Sequence, residues 1–573
     1  MRTILLNIFL ITFHLTTSAQ TFQWAKGIGG TWDQIVDDMV HDAAGNMYMV
    51  GHFYGTVDFD PGPNIYNLTA AGNMDIFITK LDVNGNFVWA HQIGSTYSYG
   101  HGKSITVNTY GDIVIIGEIS GSGAVDFDPG PNTVNGNNFE GDVFIARYNS
   151  NGNFVFVKNF GENFSSSNYE YDIVFSEAYS LLGAAIYVTG KFSGTDDFDP
   201  SAATVNLSSN GNKDIFVCKF SYSGNLIWAK SMGGTQDDES TAMTTDASGN
   251  IYITGNFHGT VDFDPGPSTT FLTSYGNSDV FVIKLDASGN LVWARQLSGT
   301  SSERSKSIAL DNAGAVYIGG EFSGTIDCDP SNATLHNLTT SLTSYNGFLT
   351  KLDASGNFVW AKNVGGQEIE GICITSTGEV CIGGSFSNTV DFDPGPNVLT
   401  ATANSWSDIF MTKLDAAGNL AWTRQWASSG GGTGADYGKA MSIYNNDIYL
   451  AGTFEGSVDF DPNQGVSYLA SAGGEDIFVL KMNETTTSVE KHRTKSLTLN
   501  VFPNPTPNNI HIQAQTNLKG VEIYNLEGQL IRSKRINNQT EIDLDLSDLP
   551  SGLYLLTLND EKGQSYQQKI IKK

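Results

Sequence analysis

The sequence predicts an all-β chain: a seven-bladed β-propeller with four-stranded blades, closed by an N-terminal outer strand and followed by a small C-terminal β-sandwich. Three observations carry this. Val261-Asp262-Phe263-Asp264-Pro265-Gly266-Pro267 has close relatives beginning at Val57, Val125, Asp196, Ile326, Val390 and Val458, seven copies 64 to 71 residues apart. A fixed long period is the signature of a repeat architecture. Glycine is abundant at 63 residues, aromatics reach 11% and charged residues only 16%, a turn-rich and β-rich composition unlike that of disordered chains. The ends of the array also complement each other: it begins with a lone fourth strand, Phe22 to Lys26, and stops after a third strand, Asp476 to Lys481. Pairing them closes a ring and removes two exposed edges, where an open solenoid needs capping repeats.

Residues 1–19 read as a secretory signal. Arg2 supplies the positive start, Ile4 to Leu15 the apolar stretch, and Thr17-Ser18-Ala19 a small-residue cleavage site, so the cut falls near Ala19. That apolar stretch is too short to span a bilayer, and no other stretch is long and apolar enough. Residues 20–483 hold the repeats. The clearest unit has strands at Thr241–Thr245, Ile251–Gly255, Asp279–Leu285 and Leu291–Gln296. Tight turns Asp246 to Asn250 and Asp286 to Asn290 join the hairpins, with Gly and Asn at the positive-φ positions. Four such strands make one blade. An aromatic marks the fourth strand at Trp24, Trp89, Phe156, Trp228, Trp293, Trp360 and Trp422; its constant register points to packing between blades. Asn163 to Gly183 departs from the pattern as an irregular insert in blade three. The polar run 484–496 reads as a linker. Residues 497–573 return to short alternating strands, with a hairpin around Glu527-Gly528, and read as the small sandwich.

The formal charge of -29 is uneven. The segment from Glu484 onward carries 11 Lys and Arg against 10 Asp and Glu, leaving 20 against 50 in the rest. So acidic a propeller disfavours nucleic acid and favours cations or basic partners. Four cysteines are too few for a disulfide framework. Cys373 and Cys381 flank a turn symmetrically and should lie opposite each other across a hairpin, near disulfide range; a bridge and a pair of small apolar strand residues both fit.

Two resemblances add to this. Phe502-Pro503-Asn504-Pro505, Val521 to Asn525 with Gly528, Asp545-Leu546-Ser547 with Leu549 to Tyr554, and the terminal Lys569-Ile570-Ile571-Lys572 occur in that order. Together they closely resemble the type A C-terminal sorting domain of the type IX secretion system of Bacteroidetes. The resemblance implies handling by the type IX machinery and release from the cell or attachment to its outer surface. The pattern D-x-x-G-N-x-Y-x-x-G, present at Asp42 to Gly51 and Asp246 to Gly255, resembles bacterial β-propeller repeats and implies a fold without an activity.

Alternation of chain direction puts all seven Asp-Phe-Asp-Pro loops on one face. The loops contribute Asp58/Asp60, Asp126/Asp128, Asp197/Asp199, Asp262/Asp264, Asp327/Asp329, Asp391/Asp393 and Asp459/Asp461. Asp33, Asp237, Asp238, Glu303, Glu368 and Asp436 in the blade-to-blade connections join them there. Period-two alternation turns Val261 and Phe263 one way and the two carboxylates the other, as a hard-oxygen pair of the type Ca²⁺ takes. Asp before Pro-Gly is equally ordinary turn chemistry, and both readings stand for these residues as metal ligands. No H-E-x-x-H or G-x-S-x-G occurs. His41, His52, His91, His101, His258 and His336 fall out of register and read as surface or packing residues. The balance favours a secreted or cell-surface, non-enzymatic binding or adhesion protein with an extracellular glycan or protein ligand. The alternatives are a carbohydrate-active hydrolase or lyase using the central face, which requires one or two blades to depart from the consensus near the axis, and a structural matrix protein.

Overall fold

The computed structural model describes residues 19–121, 124–130, 133–134, 142–161, 171–176, 184–331, 333–340, 345–366, 368–428, 434–463, 465–485, 500–525, 530–560 and 565–573. The signal segment before residue 19, most of the 484–496 linker, the Glu527-Gly528 turn and much of the Asn163 to Gly183 insert lie outside them. Within that insert, Asp172–Ser176 is the innermost strand of blade three. Ala19–Thr485 forms one compact unit and the C-terminal residues belong to another.

Blade 4 shows the pattern: Glu239–Thr245, Ile251–Phe257, Asp279–Leu285 and Leu291–Gly299 pair antiparallel in that order. The middle two strands are buried throughout except at Lys284. A strand covered on both faces carries a continuous apolar run, as Ile251-Tyr252-Ile253 and Val280-Phe281-Val282-Ile283 do. The first strands of the seven blades are Gln34–His41, Ser98–Val107, Asp172–Ser176, Glu239–Thr245, Glu303–Leu310, Glu368–Ile374 and Tyr437–Tyr444, and they neighbour one another in a closed circle. The seventh blade takes its outer strand from the start of the array. Ala19–Gly30 pairs antiparallel with Asp476–Thr485, Phe22 opposite Met482 and Ile28 opposite Ile477.

Adjacent blades meet in apolar clusters that draw on both partners; Ile28, Val479 and Tyr449 of blade seven pack with Met49 and Phe77 of blade one. The outer-strand aromatic is part of each seam. Trp228 lies beside Tyr187, ring centres 6.1 Å apart, and against the Asp286 to Asn290 turn of the next blade. There Gly289 sits at φ +77, and a Cβ would come within 3.0 Å of the indole. A turn that needs positive φ and a ring that needs room thus select the same glycine.

The connection from second to third strand is more than a loop. In blade 4, Thr260–Asp262 pairs with Phe271–Thr273, Val261 opposite Leu272, and matching two-stranded ribbons form in blades one, three, six and seven and, with one extra residue in the loop, in blade five. Each ribbon reaches the end of the preceding blade's outer strand: Gly29 pairs with Asp58, Gly233 bridges to Asp262, Ser298 pairs with Asp327 and Ser428 bridges to Val458. The ribbons are staples around the ring. Phe263 plugs the staple into its blade, edge-on to Phe257 at 5.3 Å and tilted over Phe281 at 4.8 Å; such aromatic contacts add to simple burial. Cys328 takes this place in blade five and is fully buried.

In the C-terminal unit, the expected strands Asn509 to Gln513 and Gly520 onward are one long strand, Asn509–Tyr524. It pairs with Leu530–Asp545 and Gly552–Asp560, and its register shifts between Gln513 and Leu518. A bulge bends and twists a strand without ending it, so the polar interruption is absorbed. Ile512, Val521, Leu544, Leu556 and Ile570 meet in its core.

Deleting Ala19–Gly30 exposes the edge of Asp476–Thr485. The truncated chain is expected to lose its cooperative thermal transition, and a synthetic peptide of residues 19–30 to restore it in trans. An undiminished melt of the truncated chain, followed by circular dichroism, would show that the ring does not depend on this strand.

Candidate functional site

The fourteen loop aspartates are held by backbone N–H groups of their own loops. Asp262 Oδ1 accepts the backbone N–H of Asp264 at 3.1 Å and of Thr270 at 2.7 Å, and Asp264 Oδ1 accepts that of Gly266 at 2.8 Å. The first aspartate makes the same pair of bonds in every blade: Asp58, Asp126, Asp197, Asp327, Asp391 and Asp459 each accept one N–H two residues on and another across the ribbon. Asp60, Asp128, Asp199, Asp329, Asp393 and Asp461 each accept the N–H two residues on. Val261 and Phe263 are buried as alternation requires, and one oxygen of each carboxylate is engaged by backbone N–H groups of its own loop. Among the described residues, no three His, Cys, Asp or Glu side chains come together as a metal-binding group. Cys373 and Cys381 are register partners across their hairpin, both buried.

Three of the six acidic residues expected on the surface connections are buried at blade junctions. Asp238 accepts the N–H groups of Gly234 at 2.7 Å and His258 at 3.0 Å. Asp436 accepts those of Ser428 and Glu455, both at 3.0 Å. Glu303 faces Asp279 of the preceding blade. Burial pushes Asp238 up to about 7 and Asp436 to about 6; burial and then the Asp279 carboxyl push Glu303 up to about 8. A charge removed from water without a cation prefers to be neutral.

The blades differ most at the axis. The first strand carries a β-bulge at one position in six blades, which falls at Asp37, Lys103, Thr241, Lys306, Glu370 and Lys439. Tyr171 stands just before the described strand of the remaining blade. These side chains border a channel of about 340 Å³. A bulged residue has no partner opposite it, so its identity is not fixed by strand pairing. Reading round from blade five, Lys306, Glu370, Lys439, Asp37 and Lys103 alternate in charge, and the circle is completed by uncharged Tyr171 and Thr241. A larger groove of about 1110 Å³ lies at the periphery beside the ribbons of blades four and five; its Thr273, Gln296 and Gly356 recur as Thr69, Gln92 and Gly152, so it belongs to the scaffold.

One residue further along the strand, blades one and three carry Asp38 and Asp172 where others carry Ser104, Ala242, Ser307, Gly371 and Ala440. This is the departure near the axis that an enzyme requires. Their oxygens, however, are taken up by the scaffold. Asp38 accepts the N–H groups of Met39 at 2.7 Å and Ile105 at 2.9 Å; Asp172 accepts those of Ile173 at 2.8 Å and Met243 at 2.6 Å. Ser104 Oγ touches both carboxyls, at 2.8 and 2.7 Å. Ser104 has one hydroxyl proton to donate, so it can serve only one of the two carboxylates at a time. Burial, and then the Asp38 charge, push Asp172 up to about 7.

At blades one and two, beside the channel-lining Asp37 and Lys103, stand groups that sequence spacing set aside. His52 Nδ1 lies 3.0 Å from Asp37 Oδ2, and the His52 and His101 rings meet edge-on at 4.6 Å. His101 stands opposite Glu118 across the hairpin. Burial lowers His101 to about 4 and raises Glu118 to about 7. His52 and Glu118 occupy one register, each directly after a strand-two glycine, Gly51 or Gly117; blade-by-blade alignment on that glycine is the signal that finds them.

Residues 500–573 match the family model of the secretion system C-terminal sorting domain. The C-terminal unit is a type IX sorting domain. A chain with this tail is secreted or displayed at the outer-membrane surface. The propeller chain is 24% identical over 499 residues to an uncharacterized WD repeat-containing protein of Acanthamoeba polyphaga mimivirus, covering 64% of this chain and 36% of that relative. It is 23% identical over 287 residues to the regulatory protein FlaEY of Caulobacter vibrioides, covering 48% and 29%. The chain thus spans about a third of the length of these curated relatives. Among solved structures it is similar to the quinohemoprotein alcohol dehydrogenase ADHIIG of Pseudomonas putida HK5, at 12% identity and TM-score 0.36, covering 82% of this chain and 77% of that one. It is also similar to PorZ of Porphyromonas gingivalis, a surface component of the type IX secretion system, at 9% identity and TM-score 0.22, covering 96% and 100%. Likenesses at this level carry no function. No helix of the described residues is long and apolar enough to cross a membrane.

Asp262→Ala strands two ribbon N–H groups and is expected to lower stability by about 1–3 kcal/mol in denaturant melts, while chelator leaves the parent's melting temperature unchanged; a rise of several degrees with added Ca²⁺ would show the outer oxygens recruiting a cation. The buried carboxyls predict a pH dependence. Their folded pKa values lie above those of the unfolded chain, so the folded state binds more protons. Their contribution is fully present below about pH 4 and is lost as pH rises through 6 to 8. Melting temperature is expected to fall from pH 5 to pH 9, and Glu303→Gln to flatten part of that fall; a profile that rises over this interval contradicts the assignment.

Proposed function

We propose that the protein is a secreted or cell-surface binding module, without catalysis of its own, whose ligand sits at the axial mouth of the propeller. The observation that carries this is the contrast between ribbons and axis. The loop aspartates repeat the same bonds in all blades, whereas the bulged positions bordering the channel run Asp, Lys, Thr, Lys, Glu and Lys. A concave place with a few distinct polar groups on a rigid frame suits ligand recognition. Asp38 and Asp172, the carboxyls best placed to act as an acid and base pair, are engaged by backbone N–H groups of their own and neighbouring blades, which favours binding over hydrolysis or elimination. On this reading residues 1–19 direct export, with cleavage near Ala19, and the sorting domain completes it.

Full-length protein passed over immobilised extracellular polysaccharides and peptides in surface plasmon resonance is expected to bind without producing shortened or unsaturated sugars. The double substitution Lys306→Ala with Glu370→Ala should weaken that binding at least tenfold. Release of cleaved sugars would instead make the protein a hydrolase or lyase, and affinity indifferent to the double substitution would move the ligand away from the axis.

A further inference from the structure

The blade one and two side of the mouth has a composition of its own. At the lip, Trp32, Tyr97 and Tyr99 are 64%, 71% and 46% exposed. They are seated by the surrounding structure. Gly55 holds φ +64, and a Cβ there would lie 2.6 Å from the Trp32 ring; Asn73 Nδ2 donates to the Tyr99 hydroxyl at 2.6 Å. Tyr54 connects them to the wall below: its ring centre is 6.5 Å from that of His52, and its backbone N–H donates to the Asp33 carbonyl at 3.2 Å. Along the first strand of blade two, Tyr99 is exposed and His101 and Lys103 are half-buried, and Lys103 borders the channel.

The wall offers hydrogen-bonding capacity that the scaffold leaves unused. Glu118 is only 6% exposed, and its Oε1 has no hydrogen-bond partner among the described residues; nor has His101 Nδ1. Glu118 faces Lys103, Lys191 and Asp37. A buried polar atom without a partner is costly, and one beside an accessible mouth is a place for a ligand group. Both signs of charge surround Glu118, with Asp37 set against Lys103 and Lys191, so no single sign dominates this wall. Flat, exposed aromatic faces combined with planar carboxyl and imidazole groups complement a molecule that has apolar C–H faces and hydroxyl edges.

We propose that this side of the mouth binds a neutral oligosaccharide, with sugar rings stacked on Trp32, Tyr97 and Tyr99 and hydroxyls meeting Asp37, His52, His101 and Glu118. The inference rests on reading the axial mouth as a ligand site. Full-length protein is titrated calorimetrically with neutral hexasaccharides of β-1,4-linked glucose, mannose and xylose, and separately with a lysine-rich peptide. At least one hexasaccharide is expected to bind at one site. Trp32→Ala, Tyr99→Ala and His52→Ala should each weaken it at least tenfold, and Tyr110→Ala, an exposed aromatic on a hairpin turn of the opposite face, should not. Trp32 and Tyr99 are exposed, so their variants should keep the parent's melting temperature. Absence of binding by all three sugars, or binding that survives both aromatic substitutions, overturns the proposal. If the peptide binds instead and Lys306→Ala abolishes that, the axial reading stands and the sugar chemistry falls; if binding of either ligand ignores every substitution at the mouth, both fall.

Discussion

The ring depends on how each outer strand ends. Its last residues are small, and the ribbon of the next blade closes over them: Gly30 lies so near Thr56 that a Cβ would come within 2.4 Å of its carbonyl oxygen, and Gly234 meets Thr260 in the same way at 2.5 Å. The ribbon can make that approach because its own backbone is pinned by the first aspartate, which accepts two N–H groups at once. Asp, Phe and the terminal glycines therefore act as one device. The aspartate shapes the ribbon, the phenylalanine anchors it in its blade, and the glycines admit it to the neighbour. Inter-blade clusters of aliphatic and aromatic side chains supply the bulk of the cohesion, but they are non-directional, and the ribbons fix the angle at which successive blades meet.

Much of this was legible in the chain itself. Strand period, turn chemistry and the complementary ends of the array determined blade number, the register of the outer aromatic and the origin of the closing strand, because each depends on local pattern or on counting. The ribbon was not legible as a ribbon. Phe271-Leu272-Thr273 is too short and too variable between copies to announce a strand, and only the register of Val261 against Leu272 reveals it. The aspartates were half legible: Asp before Pro-Gly announces turn chemistry, while alternation alone sends both carboxylates outward. Alternation describes an extended strand, and beyond Asp262 the chain is already turning, so the Asp262 carboxylate finds backbone N–H groups two and eight residues away and that of Asp264 finds one two residues away. The axial side chains were missed because the bulge that exposes them leaves no mark in a single repeat. His52, His101 and Asp37 belong to two blades, and their meeting is a property of the circle.

Scaffold and axis divide the work of the molecule. The parts that repeat faithfully, the capped turns and the stapled ribbons, have their polar groups satisfied internally. Diversity gathers at the bulges, where a side chain can change without disturbing a ladder of hydrogen bonds. Asp38 and Asp172 stand between these regimes. They interrupt the symmetry of the inner circle, yet each fastens its blade to the next through a backbone N–H, and the hydroxyl of Ser104 bridges the two carboxyls. A propeller that is strongly acidic overall thus surrounds an axis where charges of both signs are interleaved.

The strand at Ala19–Gly30 has a consequence for the order of events during folding. Its partner, Asp476–Thr485, lies more than four hundred residues away along the chain, so joining the two in an otherwise unfolded polypeptide would cost on the order of 5 kcal/mol in loop entropy. Every other blade is assembled from strands close in sequence and can form as the chain becomes available. Once six blades have stacked, their curvature brings the two ends together and the long loop no longer has to be closed against a random coil. Closure is then the last step, and until it occurs the seventh blade keeps an open edge that another copy can occupy. The time a chain spends between its sixth and seventh blade is therefore the interval in which it is most exposed to intermolecular pairing.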